Sequence, residues 1–385
     1  MTVPWSSPAA LIDTERQLEQ LVEQLSAASV IGLDTEANGF HAYRPRLCLL
    51  QVAWADGATD AVALIDTLAF ARRPLALAGL LASTEPQKIV HGADYDVRLI
   101  KRDLDVPLHG LIDTQIAARL LGEEKTGLAA VTASMAGIEL DKGGQRIDWA
   151  RRPLSARALS YAARDAAVLL ALWREMQPRL RRAGRLAWAY EESLVLEQVP
   201  AAGEPAPDLD ALTRRIGART SLDGKGWAVL RALVGWRDRE ARRRDVPAVH
   251  VLGSQPLVVL ARRTPGEARE LKRIRLPANV RKQHGEHLLA VVREAIARGA
   301  APAKRARPQR PEGIEARLLG RLRHQRDVRA RALGLEPAVL CSNATLRELA
   351  RLRPAHERQL LEAGMRAWQA EQLGEAILAA LKVKR

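Results

Sequence analysis

Cysteine is nearly absent: the 385-residue chain has two, Cys48 and Cys341, far apart and in no Cys-x-x-Cys spacing. That scarcity excludes a disulfide framework and a thiolate metal site, and leaves two buried or inert thiols. Long apolar runs are missing as well. None approaches the roughly 18 residues needed to span a bilayer, and the opening MTVPWSSPAALIDTERQ has neither a basic stretch nor an apolar signal core. A cytoplasmic protein without membrane contact is therefore expected. What is present suits a folded soluble chain, with 47% apolar and 27% charged residues. Its length exceeds the roughly 100–200 residues of one domain, so two or three are expected.

The net charge of +15 is unevenly placed. Residues 1–200 carry 22 Lys and Arg against 25 Asp and Glu, net −3, whereas residues 201–385 carry 38 against 20, net +18. A basic half attached to a mildly acidic body suits one part that grips polyanions and another that does something else. Arginine-rich, solvated helix faces would give the same numbers.

Breaks in pattern divide the chain. Pro200 to Asp208 is Pro-rich and lacks periodicity, and a second, basic Pro-rich stretch runs from Gly299 to Pro311. The expected domains are residues 1–199, 211–298 and 312–385, joined by linkers 200–210 and 299–311. In the first, Glu15 to Leu25 reads as a helix, and Val30–Leu33, Leu47–Trp54, Ala61–Ile65 and Lys88–His91 read as strands. Asp56-Gly57 signals a hairpin between the second and third of these. Helical periodicity follows over Asp94–Lys101, Ile112–Leu121 and Ser155–Arg182. Early strands with later interleaved helices predict an α/β domain with a mixed sheet. The other two segments look like copies of one helical unit. Leu233 to Arg244 matches Leu322 onward, Arg237-Asp238 falls on Arg326-Asp327, and Pro247-Ala-Val falls on Pro337-Ala-Val, at offsets of 89 or 90. Each copy is long enough for a small all-α helical bundle.

Four carboxylates and one phenol could carry chemistry. Asp34 and Glu36 stand at i and i+2 after an apolar strand, so both project from one sheet face. Two hard oxygen donors suit Mg²⁺ or Mn²⁺, although an isolated Asp-x-Glu suits charges held in water equally well. Asp96 falls in the first turn of the next helix, where negative charge is favoured. Asp94 and Asp103 stand nearby as solvent-facing or capping groups. Tyr161 and Asp165, at i and i+4, share one helix face and can approach one bound group, or pack as core and surface. No pair decides the matter alone.

Together these segments resemble the DEDD exonuclease superfamily, and within it ribonuclease D. Val30-Ile-Gly-Leu-Asp-Thr-Glu36 with Arg46-Leu-Cys-Leu-Leu-Gln-Val-Ala53 is similar to the family's first motif. Lys88-Ile-Val-His-Gly-Ala-Asp-Tyr-Asp96 is similar to the second, whose aspartate stands five positions after the His, which selects Asp96. Leu154-Ser155 with Tyr161-Ala-Ala-Arg-Asp165 is similar to the third, in the form that has Tyr where relatives have His. Ile112 to Leu121, Asp141-Lys142 and Asp148-Trp149 resemble stretches between the motifs. The two helical copies resemble helicase-and-RNase-D C-terminal (HRDC) domains, down to the closing Met365-Arg-Ala-Trp368. Ala37 departs from the pattern, because many relatives carry an aromatic there.

The resemblance implies a ribonuclease H-like mixed sheet flanked by helices, followed by two all-α bundles. It further implies a monomeric 3′-5′ exoribonuclease that trims precursor tRNA and other structured RNA at 3′ single-stranded tails. Two divalent ions, Mg²⁺ or Mn²⁺, would lie about 4 Å apart. Asp34 would bridge them, Glu36 and Asp165 would complete one ion's site, Asp96 would hold the other, and Tyr161 would orient or help deprotonate the water. A single-strand DNA exonuclease of the proofreading type shares the carboxylates, and the tandem HRDC pair argues for RNA instead. A dead nuclease serving as an RNA scaffold is disfavoured because all five positions are filled. Gln51, His91, Arg237, Arg243 and Arg326 are the candidate RNA contacts, with Arg242, Arg244, Arg329 and Arg331 beside them. His91, lacking a second His or Cys nearby, reads as a strand-end packing residue rather than a ligand. Trp236 and Trp368 read as bundle core.

Overall fold

The computed structural model describes residues 9–57, 59–71, 73–140, 143–144, 146–203, 207–299 and 313–382. Asp141-Lys142 and nearly all of the expected second linker lie outside them. Six strands form one mixed sheet, β1 (Ala10–Ile12), β2 (Val30–Ala37), β3 (Leu47–Asp56), β4 (Thr59–Ile65), β5 (Gln87–Val90) and β6 (Leu111–Asp113). Their order across the sheet is β1-β4-β3-β2-β5-β6. β2, β3 and β4 run antiparallel to their neighbours in that trio, and the outer pairings are parallel. Asp56 pairs with Thr59 where β3 turns into β4, as the Asp-Gly signal predicts. β3 is buried continuously from Leu47 to Ala53, because helices cover both faces of the sheet, and so its sequence is apolar without alternation.

On one face lie α1 (Glu15–Ser26), α2 (Ala76–Ala82) and α3 (Asp94–Asp103). Leu18, Leu21, Leu25, Leu77, Leu81, Val97 and Ile100 pack there against Ile31, Leu33, Leu50 and Val52. A reciprocal pair of bonds between Thr14 and Gln17 starts α1. α4 (Thr114–Leu120) and α5 (Leu128–Val131) lead to α6 (Ala156–Arg182) and α7 (Leu186–Glu197). α6, capped by Ser155, covers the other face through Ala162, Ala163, Ala166 and Ala167. Its backbone lies so near β2 that a Cβ on Gly32 would stand 2.8 Å from the Ala166 carbonyl oxygen. The small side chains of α6 and Gly32 therefore set how closely the helix carries its carboxylate to the sheet.

The helix expected over Ile112–Leu121 begins later. Leu111 to Asp113 form β6 instead, paired with β5. A three-residue strand has no period to detect, and only its neighbour's open edge makes it one.

The repeats are α8 (Leu209–Gly217), α9 (Gly224–Arg244), α10 (Ala248–Val251), α11 (Ser254–Arg263), α12 (Ala268–Lys272) and α13 (Ala278–Arg298), then α14 (Gly313–Leu333), α15 (Pro337–Leu340), α16 (Asn343–Leu352), α17 (Glu357–Glu362) and α18 (Ala367–Lys382). The chain forms two compact units: one joins the sheet domain to the second repeat, and the other joins the first repeat to the segment Asn38–Arg46. In the first unit Trp188 of α7 stacks on Trp368 of α18, with centroids 4.6 Å apart. Glu191 caps α18 from outside, accepting from the Ala367 N–H at 2.6 Å and the Trp368 N–H at 3.1 Å. One apolar cluster accordingly runs from Ile89 and Leu169 into Leu322 and Leu349. In the second unit Tyr43 donates its hydroxyl to Asp238 at 2.8 Å. Trp236 and Trp368 are both buried, as bundle aromatics should be.

Candidate active site

β2 points Asp34 and Glu36 toward α6, where Asp165 is buried on the facing helix surface. Beyond Glu36 the β2–β3 register shifts, so the ladder breaks immediately after the second carboxylate. Asp34 and Glu36 keep partial solvent access, which leaves a way in for a cation, while the surrounding protein still desolvates them. Burial, reinforced by the charges of Asp96 and Asp165, holds the Asp34 carboxyl well above the usual carboxylate range. Glu36 is pushed up to about 9, chiefly by burial and then by Asp34, Asp165 and Asp96. Asp165 rises to about 6 through burial, despite a hydrogen bond from Tyr161 and the nearby charge of Arg164. Burial also raises Asp96, opposed by the hydroxyl of Thr35, which donates to its Oδ1.

Among the described residues no three of these groups already converge as a closed metal cage. Their influence on one another is coulombic and acts across the gap between β2, α3 and α6. No basic side chain figures among the influences on Asp34, Glu36 or Asp96. Carboxylates gathered around Asp34 and Glu36, with no basic side chain among the influences on either, fit a hard divalent cation.

Asp94 is taken by Arg98, one turn on, at 2.8 and 3.0 Å. Asp103 accepts from the Leu47 N–H at 2.7 Å. Both are thus employed in local structure, which leaves Asp96 as the α3 carboxylate of the cluster. Tyr161 donates to Asp165, and burial with the neighbouring negative charges pushes its phenol up. Its ring is held on two sides. Trp149 lies at a 6.2 Å centroid distance, and a Cβ on Gly144 would fall 2.3 Å from the ring.

Asp113 escapes the sequence reading, in which it stands only within an intervening stretch. Its carboxylate accepts from the N–H groups of Gly92 at 2.9 Å, Ala93 at 3.0 Å, Gln115 at 2.7 Å and Ile116 at 3.3 Å. It thereby ties the start of α3, and with it Asp96, to the start of α4. The signal available was its place as an N-cap in Asp-Thr-Gln.

The expected RNA contacts fare differently. Arg237 is 4% exposed and donates to the Leu252 carbonyl at 3.1 Å and the Ser254 hydroxyl at 3.4 Å. Arg326 is 7% exposed and makes the equivalent bonds to the Cys341 carbonyl at 3.1 Å and Asn343 at 3.0 Å. The likeness of Arg-Asp in the repeats is therefore a shared structural brace, with each guanidinium bonded to a carbonyl and a side-chain oxygen of its own repeat. Gln51 is 0% exposed, which removes it from substrate contact. His91 is half-buried, bonded through Nδ1 to Thr114 at 2.9 Å, and lines a cavity of about 10 Å³ with Asp34, Thr35 and Asp96. That space admits about one water and no base, so strand-end packing prevails there. Arg243 alone of the five is exposed, paired with Glu240 at 2.6 Å.

The family model described as 3'-5' exonuclease matches residues 9–181, and that of the HRDC domain matches residues 227–292 and 315–381. Ribonuclease D of Cronobacter turicensis is 33% identical over 288 residues, covering 74% of this chain and 76% of that protein. The chain belongs to the ribonuclease D family of 3′-5′ exoribonucleases. Ribonuclease D of Gluconacetobacter diazotrophicus is 35% identical over 266 residues, 69% of this chain and 66% of the relative. The crystal structure of Escherichia coli RNase D, an exoribonuclease involved in structured RNA processing, superposes with a TM-score of 0.65 at 26% identity. It covers 98% of this chain and 99% of its own. The mixed sheet followed by HRDC-type helical domains is thus the fold of ribonuclease D. Exonucleases of this class use divalent metal ions. No helix among the described residues is long and apolar enough to cross a membrane.

Proposed function

We propose that Asp34, Glu36, Asp96 and Asp165 hold two divalent ions, Mg²⁺ or Mn²⁺, and that the chain trims 3′ tails of precursor tRNA and other structured RNA to nucleoside 5′-monophosphates. The observation that carries this reading is the group of four desolvated carboxylates, in which Asp96 and Asp165 raise both Asp34 and Glu36, with Tyr161 bonded to Asp165. Bound ions would supply a more acidic water and offset charge on the scissile phosphate. Asp34, whose carboxyl is raised by both Asp96 and Asp165, would take the bridging role. Glu36 and Asp165 serve the side of the attacking water. Tyr161 is committed as a donor to Asp165, so it orients that side rather than taking a proton. Asp96, steadied by Thr35, serves the side of the leaving 3′ oxygen.

Catalysis belongs to residues 1–199. RNA grip belongs to the first repeat, 211–298, whose α9 ends in the exposed Arg242, Arg243 and Arg244. The second repeat, 312–385, has its α18 end engaged by Glu191, Glu192 and Trp188. The reading includes a monomer working in the cytoplasm.

The test is incubation with Mn²⁺ and a 3′-tailed tRNA beside the same tail in DNA, comparing wild type with Asp34→Asn. Mononucleotides from wild-type RNA digestion alone are expected. Binding without release under any divalent ion would overturn the reading.

A further inference from the structure

Gln51 is fully buried in the central strand, and neither its Nε2 nor its Oε1 has a hydrogen-bond partner among the described residues. Burying a primary amide unpaired is costly, and such groups in folded proteins call for an explanation. Its position supplies one. Gln51 is directly opposite Asp34 in the β2–β3 ladder. Its strand neighbours Leu50 and Val52 belong to the core beneath α1, α2 and α3, so Gln51 faces α6, as Asp34 does on its own strand. Opposed residues of an antiparallel pair have Cβ atoms about 4.5–5.5 Å apart, within reach of a glutamine amide and a carboxylate. The other surroundings on that face are apolar. Leu64 flanks Gln51 on the β4 side, and α6 presents Ala162, Ala163 and Ala166.

We propose that Gln51 is a positioning residue whose Nε2–H, without a partner here, turns to donate to the Asp34 carboxylate when a divalent ion binds and fixes the orientation in which that carboxylate receives it. An ionised carboxylate only accepts hydrogen bonds, so an amide aimed from the neighbouring strand suits it. Groups that orient a metal-binding carboxylate typically change metal affinity 10–100-fold when removed. Gln51 is sealed beneath the site, so its loss acts through Asp34 and leaves RNA binding alone. The inference rests on the metal-site reading above.

The experiment uses the full chain and Mn²⁺ as the probe. Wild type, Asp34→Asn, Gln51→Leu and Gln51→Met are titrated with Mn²⁺ by calorimetry without RNA, melted without metal, and assayed for kcat and KM on the tailed RNA. Both Gln51 variants are expected to bind Mn²⁺ at least about tenfold more weakly, to melt no lower than wild type without metal, and to lose kcat at unchanged KM. Unchanged Mn²⁺ affinity in either folded Gln51 variant overturns the proposal, as does a lowered metal-free melting temperature in both. If Asp34→Asn binds Mn²⁺ like wild type, the metal-site reading itself fails and the role of Gln51 falls with it.

Discussion

Asp113 offers a quantitative test of how Asp96 is positioned. Asp113→Ala removes an acceptor for four backbone N–H groups, two at the start of α4 and two at the turn into α3. Loss of a helix N-cap costs about 0.5–2 kcal/mol. Each buried N–H left without an acceptor costs about 1–3 kcal/mol. Because the four bonds share one carboxylate, the costs overlap, and a total of about 3–5 kcal/mol is expected. Asp113→Asn keeps the oxygen that serves Gly92, Gln115 and Ile116 and gives up the bond to Ala93. Its cost should be about 1–2 kcal/mol. Urea denaturation followed by circular dichroism measures both. Exonuclease turnover at a temperature where Asp113→Asn remains folded reads the second consequence: with the first turn of α3 loosened, kcat should drop at least about tenfold, since small misplacements of reacting groups are severe. An Asp113→Ala variant within about 1 kcal/mol of wild type, or no more costly than Asp113→Asn, would refute the clamp.

Gly144→Ala places a methyl where the Tyr161 ring now lies; single-turnover kinetics should show kcat reduced at least about tenfold with RNA affinity unchanged, and wild-type kinetics would mean the loop does not hold the ring. Lys88 is 0% exposed and its pKa is lowered by burial to about 8 from an ordinary 10.5. Between those two values the unfolded chain binds more protons, so this group's destabilisation is complete below pH 8 and fades as pH rises toward 10.5. Lys88→Met should therefore be more stable than wild type near neutrality, by at most about 3 kcal/mol, with the gap closing by pH 10.5; a pH-independent difference in unfolding free energy would contradict this. Arg237→Met should lower the melting temperature and leave the salt dependence of RNA binding unchanged, whereas Arg244→Glu should flatten that dependence; the opposite pattern would return Arg237 to the RNA surface.

Most of the fold was legible because its elements carry strong local signals. The periodicities of α1 and α6, the apolar β3 and the Asp56-Gly57 turn each state their structure within a few residues. β1 and β6 were not legible. Three residues have no period, and they become strands only because β4 and β5 offer them an edge. The paired arginines of the repeats misled for a related reason: a charged residue repeated at equivalent places reads as a phosphate contact, yet its partners are carbonyls 15 residues further on in each copy. Their burial arises only when α9 closes on α11 and α14 on α16.

The sequence by itself determined the inventory of chemistry: two carboxylates alternating off a strand, a carboxylate in a helix's first turn, and a phenol and carboxylate one turn apart. Those relations are local, because strand and helix periods dictate which side chains share a face. Tertiary structure alone decided that the three faces meet. Gly32 and the alanines of α6 bring Asp165 to the sheet, Asp113 ties α3 in place, and Gly144 with Trp149 confines Tyr161. Contacts between residues far apart in the chain depend on packing and backbone bonds that no local period records.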